Sequence, residues 1–173
     1  MSKINSAVSI IAAALLLGAC AGDTVTGMSE IASARRTDNK VAVDRPFTGD
    51  CNLVSEGLVF TGPASATQVI VGTCNLTHLG RSSIVIHESI DFRSLAYSSV
   101  AVITAANGDE VHTTINGIAT RGATGLSLAG SMQVTGGTGR FANASGTSSQ
   151  SGFVPFNPTA GPATYQLDGR LVY

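Results

Sequence analysis

The residues that could do chemistry in this chain are few. Its only histidines are His78, His87 and His112, and Glu88, Asp91, Asp109 and Glu110 lie near them in sequence. A general acid–base pair needs two such groups within hydrogen-bond reach, and a three-histidine metal site needs all rings aimed at one point. If the strands around His87 and His112 turned both rings to a common interior, such a site could form. Isolated histidines on strands are more often exposed or bonded locally, and Asp109 and Glu110 beside a tight turn read most simply as solvated. No catalytic residue is assigned from the sequence, and no metal or cofactor is expected.

Cysteine chemistry is more specific. The chain holds Cys20, Cys51 and Cys74. Cys74 and His78 are too sparse a set, without a compact CxxC, to suggest a metal site. No acid or His arrangement marks either thiol as a nucleophile. If Cys20 has a separate fate, Cys51 and Cys74 remain as a pair, and an exported chain would oxidise them to a structural disulfide.

Cys20 does have a separate fate. Lys3 supplies a positive start, and Ala7–Leu17 is an apolar run too short to span a bilayer. Leu17-Gly18-Ala19-Cys20 then resembles the bacterial lipobox. That resemblance implies cleavage of residues 1–19 as a lipoprotein signal peptide, acylation of Cys20, and a lipid bilayer as partner. Several acyl chains anchor far more firmly than one. Residue 21 is Ala rather than the Asp that commonly retains Gram-negative lipoproteins at the inner membrane. The implied location is therefore the bacterial cell envelope, at the outer membrane. Cleavage removes Lys3 and no acid, so the balance moves from 10 basic and 11 acidic residues to 9 and 11, a net charge of -2. Such a charge offers no attraction for nucleic acid. Residues 20–45, with Arg35-Arg36 and no strand alternation, read as a lipidated N-terminus and solvated tether, with a short helix over residues 29–36 as an option.

The remainder, residues 46–173, has the composition of strands and turns. Only 12% of the chain is charged, Trp is absent and Gly numbers 20. Helices would want more Glu, Lys, Leu and Arg. Period-2 alternation places Ile84 and Ile86 on one face of a strand and Val85 and His87 on the other. It likewise sets Val111, Thr113 and Ile115 against His112, Thr114 and Asn116, and it puts Tyr165, Leu167, Gly169 and Leu171 together. Asn107-Gly108 marks a hairpin. Glu56–Ala66, with a short extra strand at Leu58-Val59-Phe60 as an option, and Gly152–Pro162 read as loops from their Gly and Pro. In Met132–Gly146, Gly136-Gly137-Thr138-Gly139 reads as a turn between strands, with Arg140–Ser149 as the outgoing strand and Phe141 inward. A phosphate-binding loop would need a following helix, which Asn143, Gly146 and Thr147 do not favour.

The expected fold is all-β, with eight antiparallel strands of roughly 8–11 residues closed into a barrel. An open two-sheet sandwich is the alternative. Closure would remove edge strands. The sequons at Asn75 and Asn143 are discounted for a bacterial chain.

Val134–Gly146 (VTGGTGRFANASG) resembles the GGTGxFxxAxG signature of dirigent proteins and allene-oxide-cyclase-like barrels. Ala105–Val111 (AANGDEV) and Thr77–Arg81 (THLGR) resemble segments of bacterial secreted relatives of that barrel. The resemblance spans Phe47–Tyr173 and implies an eight-stranded antiparallel barrel that forms dimers or trimers. The cyclases act on a fatty-acid epoxide and dirigent proteins steer phenoxy-radical coupling, both by holding a substrate in an apolar cavity. The matched residues are turn and packing residues, so no catalytic role is carried over. Two functions are expected from this: a lipoprotein whose barrel binds a small apolar ligand or an envelope partner, or an isomerase or cyclase acting on an apolar substrate inside the barrel.

Overall fold

The computed structural model describes residues 42–173; the expected signal peptide (residues 1–19), Cys20 and most of the expected tether (residues 20–45) lie outside them. Eight strands follow one another: β1 (Asp44–Gly62), β2 (Ser65–Leu76), β3 (Gly80–Asp91), β4 (Ala96–Thr104), β5 (Glu110–Arg121), β6 (Gly125–Gly137), β7 (Ser145–Pro155) and β8 (Ala163–Val172). Each pairs antiparallel with its sequence neighbour, and β8 returns to β1 through Asp44↔Val172 to Leu53↔Ala163. The sheet is therefore a closed eight-stranded barrel rather than a sandwich. Asp44 and Arg45 belong to β1 and not to the tether.

Closure follows from the alternation. Ser82, Ile84, Ile86, Glu88 and Ile90 of β3 point inward while Val85 and His87 face out. Val111, Thr113 and Ile115 of β5, and Tyr165, Leu167 and Leu171 of β8, do the same. Every strand thus offers one largely apolar face, and the β8–β1 pairing closes the cylinder that buries them together. Cys51 and Cys74 are directly opposed in the β1–β2 ladder, both buried, and form the disulfide.

Three expectations are corrected. Glu56–Ala66 is not a loop: β1 continues to Gly62 and turns directly into β2. Register shifts at Ser55/Gly57 and Phe60/Gly62 absorb the extra residues, so Gly57, at φ 141°, serves a bulge instead of a break. Arg140–Ser149 is not a strand throughout. Gly139–Phe141 forms a 3-10 turn, closed by Phe141 N–H to Thr138 O at 2.9 Å, and β7 starts only at Ser145. Gly139 starts this turn with a φ of 55°, which glycine adopts without strain. Gly152–Pro162 is only partly a loop. Gly152–Pro155 pairs with β6, and Pro155 is tolerated because it ends the strand.

The barrel has two unlike ends. At the end where β1 begins, the β2–β3, β4–β5 and β6–β7 connections gather. Arg140 Nη2 donates to His78 O at 2.8 Å, and its Nε lies 3.7 Å from Asp109 Oδ2. The three segments Thr77–Arg81, Ala105–Val111 and Val134–Gly146 are thus fastened to one another. Beneath them Phe47, Phe141, Val111 and Leu171 are fully buried, and Tyr173 meets Phe141 edge-on with ring centroids 4.7 Å apart. This end is plugged by side chains.

Candidate binding cavity in the open end

The opposite end is not plugged. A cavity of about 520 Å³ opens there, within the roughly 300–1,000 Å³ usual for small-molecule sites. Its walls are apolar: Leu53, Ile70, Ile90, Leu126, Leu128 and Val154. Glycine creates part of the room. Tyr97 on β4 pairs with Gly117, which pairs with Gly130, which pairs with Gln150. Any side chain at Gly117 would collide with the Tyr97 hydroxyl, and a Cβ at Gly130 would stand 2.8 Å from it. Two adjacent glycines therefore let Tyr97 lie across the inner wall. Gly152 does the same for Tyr165, whose Cδ1 would be 2.7 Å from an added Cβ.

The polar floor centres on Glu88, which is 7% exposed. Gln68 Nε2 donates to Glu88 Oε1 at 2.6 Å, and Ser55 Oγ donates to Gln68 Oε1 at 2.7 Å. This chain runs across β1, β2 and β3 and fixes the carboxyl's orientation. Burial pushes the Glu88 carboxyl above the ordinary range, and the Gln68 hydrogen bond offsets part of that. Burial, with the nearby Glu88 charge, raises Tyr97 to about 12 and Tyr165 higher still. Both phenols are therefore neutral at physiological pH. The Tyr97 hydroxyl is buried without a hydrogen-bond partner among the described residues. Such groups are costly to leave unpaired and point to a missing partner.

The histidines do not make a site. His87 faces solvent on the outside of β3, and His78 is exposed in the β2–β3 connection with φ 64°. His112 is on the outside of β5, with Nε2 3.1 Å from Glu110 Oε2. A common interior for His87 and His112 is excluded by strand parity: the inward neighbours are Glu88 and Val111 or Thr113. No cluster of metal-ligating side chains occurs among the described residues. A larger depression of about 1000 Å³ lies on the outer surface by His87, Val69 and Val100, overhung by Glu56–Val59. Its lining is mainly outward strand face but includes Gln68 and Glu88, which also line the interior cavity. Glu88 was recoverable from sequence, since it shares parity with Ile84 and Ile86. Gln68, Tyr97 and Tyr165 join it only because the sheet closes.

Glu88 makes a testable contribution to stability. Its folded pKa is raised above the reference value of 4.5, so its ionisation opposes folding. At pH values below that reference it is protonated in both states and costs nothing. As pH rises to and through its folded pKa, the native state loses stability relative to a neutral isostere. Glu88→Gln should therefore be more stable than wild type in urea titrations at neutral pH, and this advantage should vanish in acid. An advantage that is constant with pH would refute the assignment.

No protein-family model, curated protein or solved structure matches this chain, and its functional reading therefore rests on its own residues.

Proposed function

We propose that this chain is a lipid-anchored envelope protein whose barrel holds a small apolar molecule in its open end. The observation that carries this reading is the interior cavity, apolar on its walls and of small-molecule size. Leu17-Gly18-Ala19-Cys20 supports anchoring through an acylated Cys20. The mouth opens at the end away from Asp44, where the chain enters the barrel, so a ligand can enter without crossing the plugged end.

A native mass spectrum of the detergent-extracted mature protein tests the reading. It should show the acyl mass on the N-terminal cysteine, the stoichiometry, and a retained non-covalent ligand. Ala163→Phe, which narrows the mouth, should release that ligand while leaving the far-UV circular dichroism unchanged. Protein that retains nothing and takes up no octanol saturably would remove the binding function.

A second reading, an isomerase or cyclase working on an apolar substrate, is favoured by one observation: an acid with a raised pKa lines the same cavity as Tyr97 and Tyr165. It requires that the retained ligand be converted by wild type and not by Glu88→Gln, with binding kept. A ligand recovered unchanged after prolonged incubation would exclude it.

A further inference from the structure

We propose that the cavity selects a lipophilic amine: a molecule with an apolar body and a single protonated nitrogen, seated with its ammonium against Glu88 and Tyr97. This rests on the binding reading above and adds the charge of the ligand's head.

The argument begins with the ionisable groups on the cavity wall. They are Glu88 of β3, Tyr97 of β4 and Tyr165 of β8, and the wall contains no Lys, Arg or His. His87, next to Glu88 on the same strand, faces the other side of the sheet. Among the described residues lining the cavity, the only side chain that offers a charge near neutral pH is thus Glu88. A carboxylate head would meet it with no cation to compensate, in a setting where apolar walls weaken screening. A cationic head reverses the sign of that interaction.

Hydrogen-bond chemistry agrees. Gln68 occupies Glu88 Oε1, and Oε2 has no bond among the described residues. The Tyr97 oxygen is likewise unpaired among the described residues. An ammonium is a pure donor with three N–H bonds and needs acceptors, which is what this floor has to spare. Tyr97 and Tyr165 line the same cavity as the carboxylate, and aromatic faces attract cations in desolvated sites. A neutral alcohol could use one acceptor but would gain neither the charge pairing nor the ring contacts.

The linkage has a definite direction. An ammonium at Glu88 favours the ionised carboxyl, so amine binding and protonation of Glu88 oppose one another. Amine affinity should fall as pH is lowered and Glu88 protonates.

The test uses the full chain bearing Cys20→Ser, with octylamine, octanol and octanoate as probes in titration calorimetry at about pH 7.5, where a simple alkylamine is protonated. Octylamine should bind about tenfold or more tightly than octanol, and octanoate most weakly. Glu88→Gln should erase the preference for octylamine over octanol, and an unchanged far-UV circular dichroism spectrum would show that the variant is folded. Tyr97→Phe should weaken octylamine less than Glu88→Gln does. Equal or tighter binding of octanol or octanoate by wild type, or an octylamine preference that survives Glu88→Gln, overturns the proposal while leaving the apolar-ligand reading intact. Failure of all three probes to bind overturns both.

Discussion

Phe141→Ala is expected to lower the unfolding free energy by about 3–5 kcal/mol, the range for deleting a fully buried aromatic side chain. Phe141 is fully buried at the plugged end. It stacks edge-on with Tyr173 at 4.7 Å, and the Arg140 guanidinium carbon sits 4.6 Å from its ring centroid. The aromatic pair alone adds about 0.5–1.5 kcal/mol beyond area burial. Collapse around the vacancy is limited. The backbone there is held by Phe141 N–H to Thr138 O, Ala144 N–H to Phe141 O, and Thr138 N–H to Glu110 O. Arg140 ties the same turn to His78 and Asp109. A rigid turn cannot sink into the space, so the lost contacts are not replaced. Against a typical total of about 5–15 kcal/mol, the loss would be severe. Urea unfolding followed by far-UV circular dichroism reads it, and a cost below about 1 kcal/mol would show that Phe141 does not plug this end.

The second large effect concerns Cys51 and Cys74. Reducing the disulfide should cost about 3 kcal/mol, since the bond closes a loop with a sequence separation of 23. Two considerations decide the size. The strands it joins are already paired on both sides of the bond, at Asp50↔Asn75 and Asn52↔Thr73, so the native state needs little rearrangement when the bond opens. The unfolded state, in contrast, regains all the freedom the link removed. Buried thiols behave as small hydrophobes, so reduction alone leaves the interior packed. Cys51→Ala with Cys74→Ala should cost as much or more, because it also deletes two sulfur atoms from the core. Unfolding with and without reductant, beside the double variant, separates these terms. If reduced and oxidised protein unfold within about 1 kcal/mol of each other, the cross-link is not a major source of stability. Intact mass after alkylation supplies an independent check. With Cys20 acylated, two thiols should become available only after reduction; alkylation of Cys51 or Cys74 in untreated protein would contradict the pairing.

The elements that were easy to read and those that were not differ in how local their causes are. Strand parity was legible for Ile84, Ile86, Val111, Ile115, Tyr165 and Leu171, because apolar alternation is a property of neighbouring residues. The inward direction of Phe141 was legible too, although the strand assigned to Arg140–Ser149 was not. There the chain turns to place Arg140 over two distant connections, a reason that no window of local residues contains. Gly57 and Gly62 suggested a break in β1 since glycine weakens strands. The ladder with β2 continues past both by shifting register, and pairing with a partner strand overrides that local preference.

The candidate site divides the same way. Composition, alternation and cysteine count determined an all-β chain with an inward face and one pair of cysteines to bridge, because those features depend on period and number alone. The convergence of Glu88, Gln68, Tyr97 and Tyr165 was decided only by the tertiary structure. These residues come from β3, β2, β4 and β8, and they share a wall only once β8 has closed on β1. The space between them depends on Gly117, Gly130 and Gly152 falling opposite the two tyrosines in register. Register across a closed sheet is set by all eight strands at once, and for that reason the inward direction of Phe141 was legible while the convergence of Glu88, Gln68, Tyr97 and Tyr165 was not.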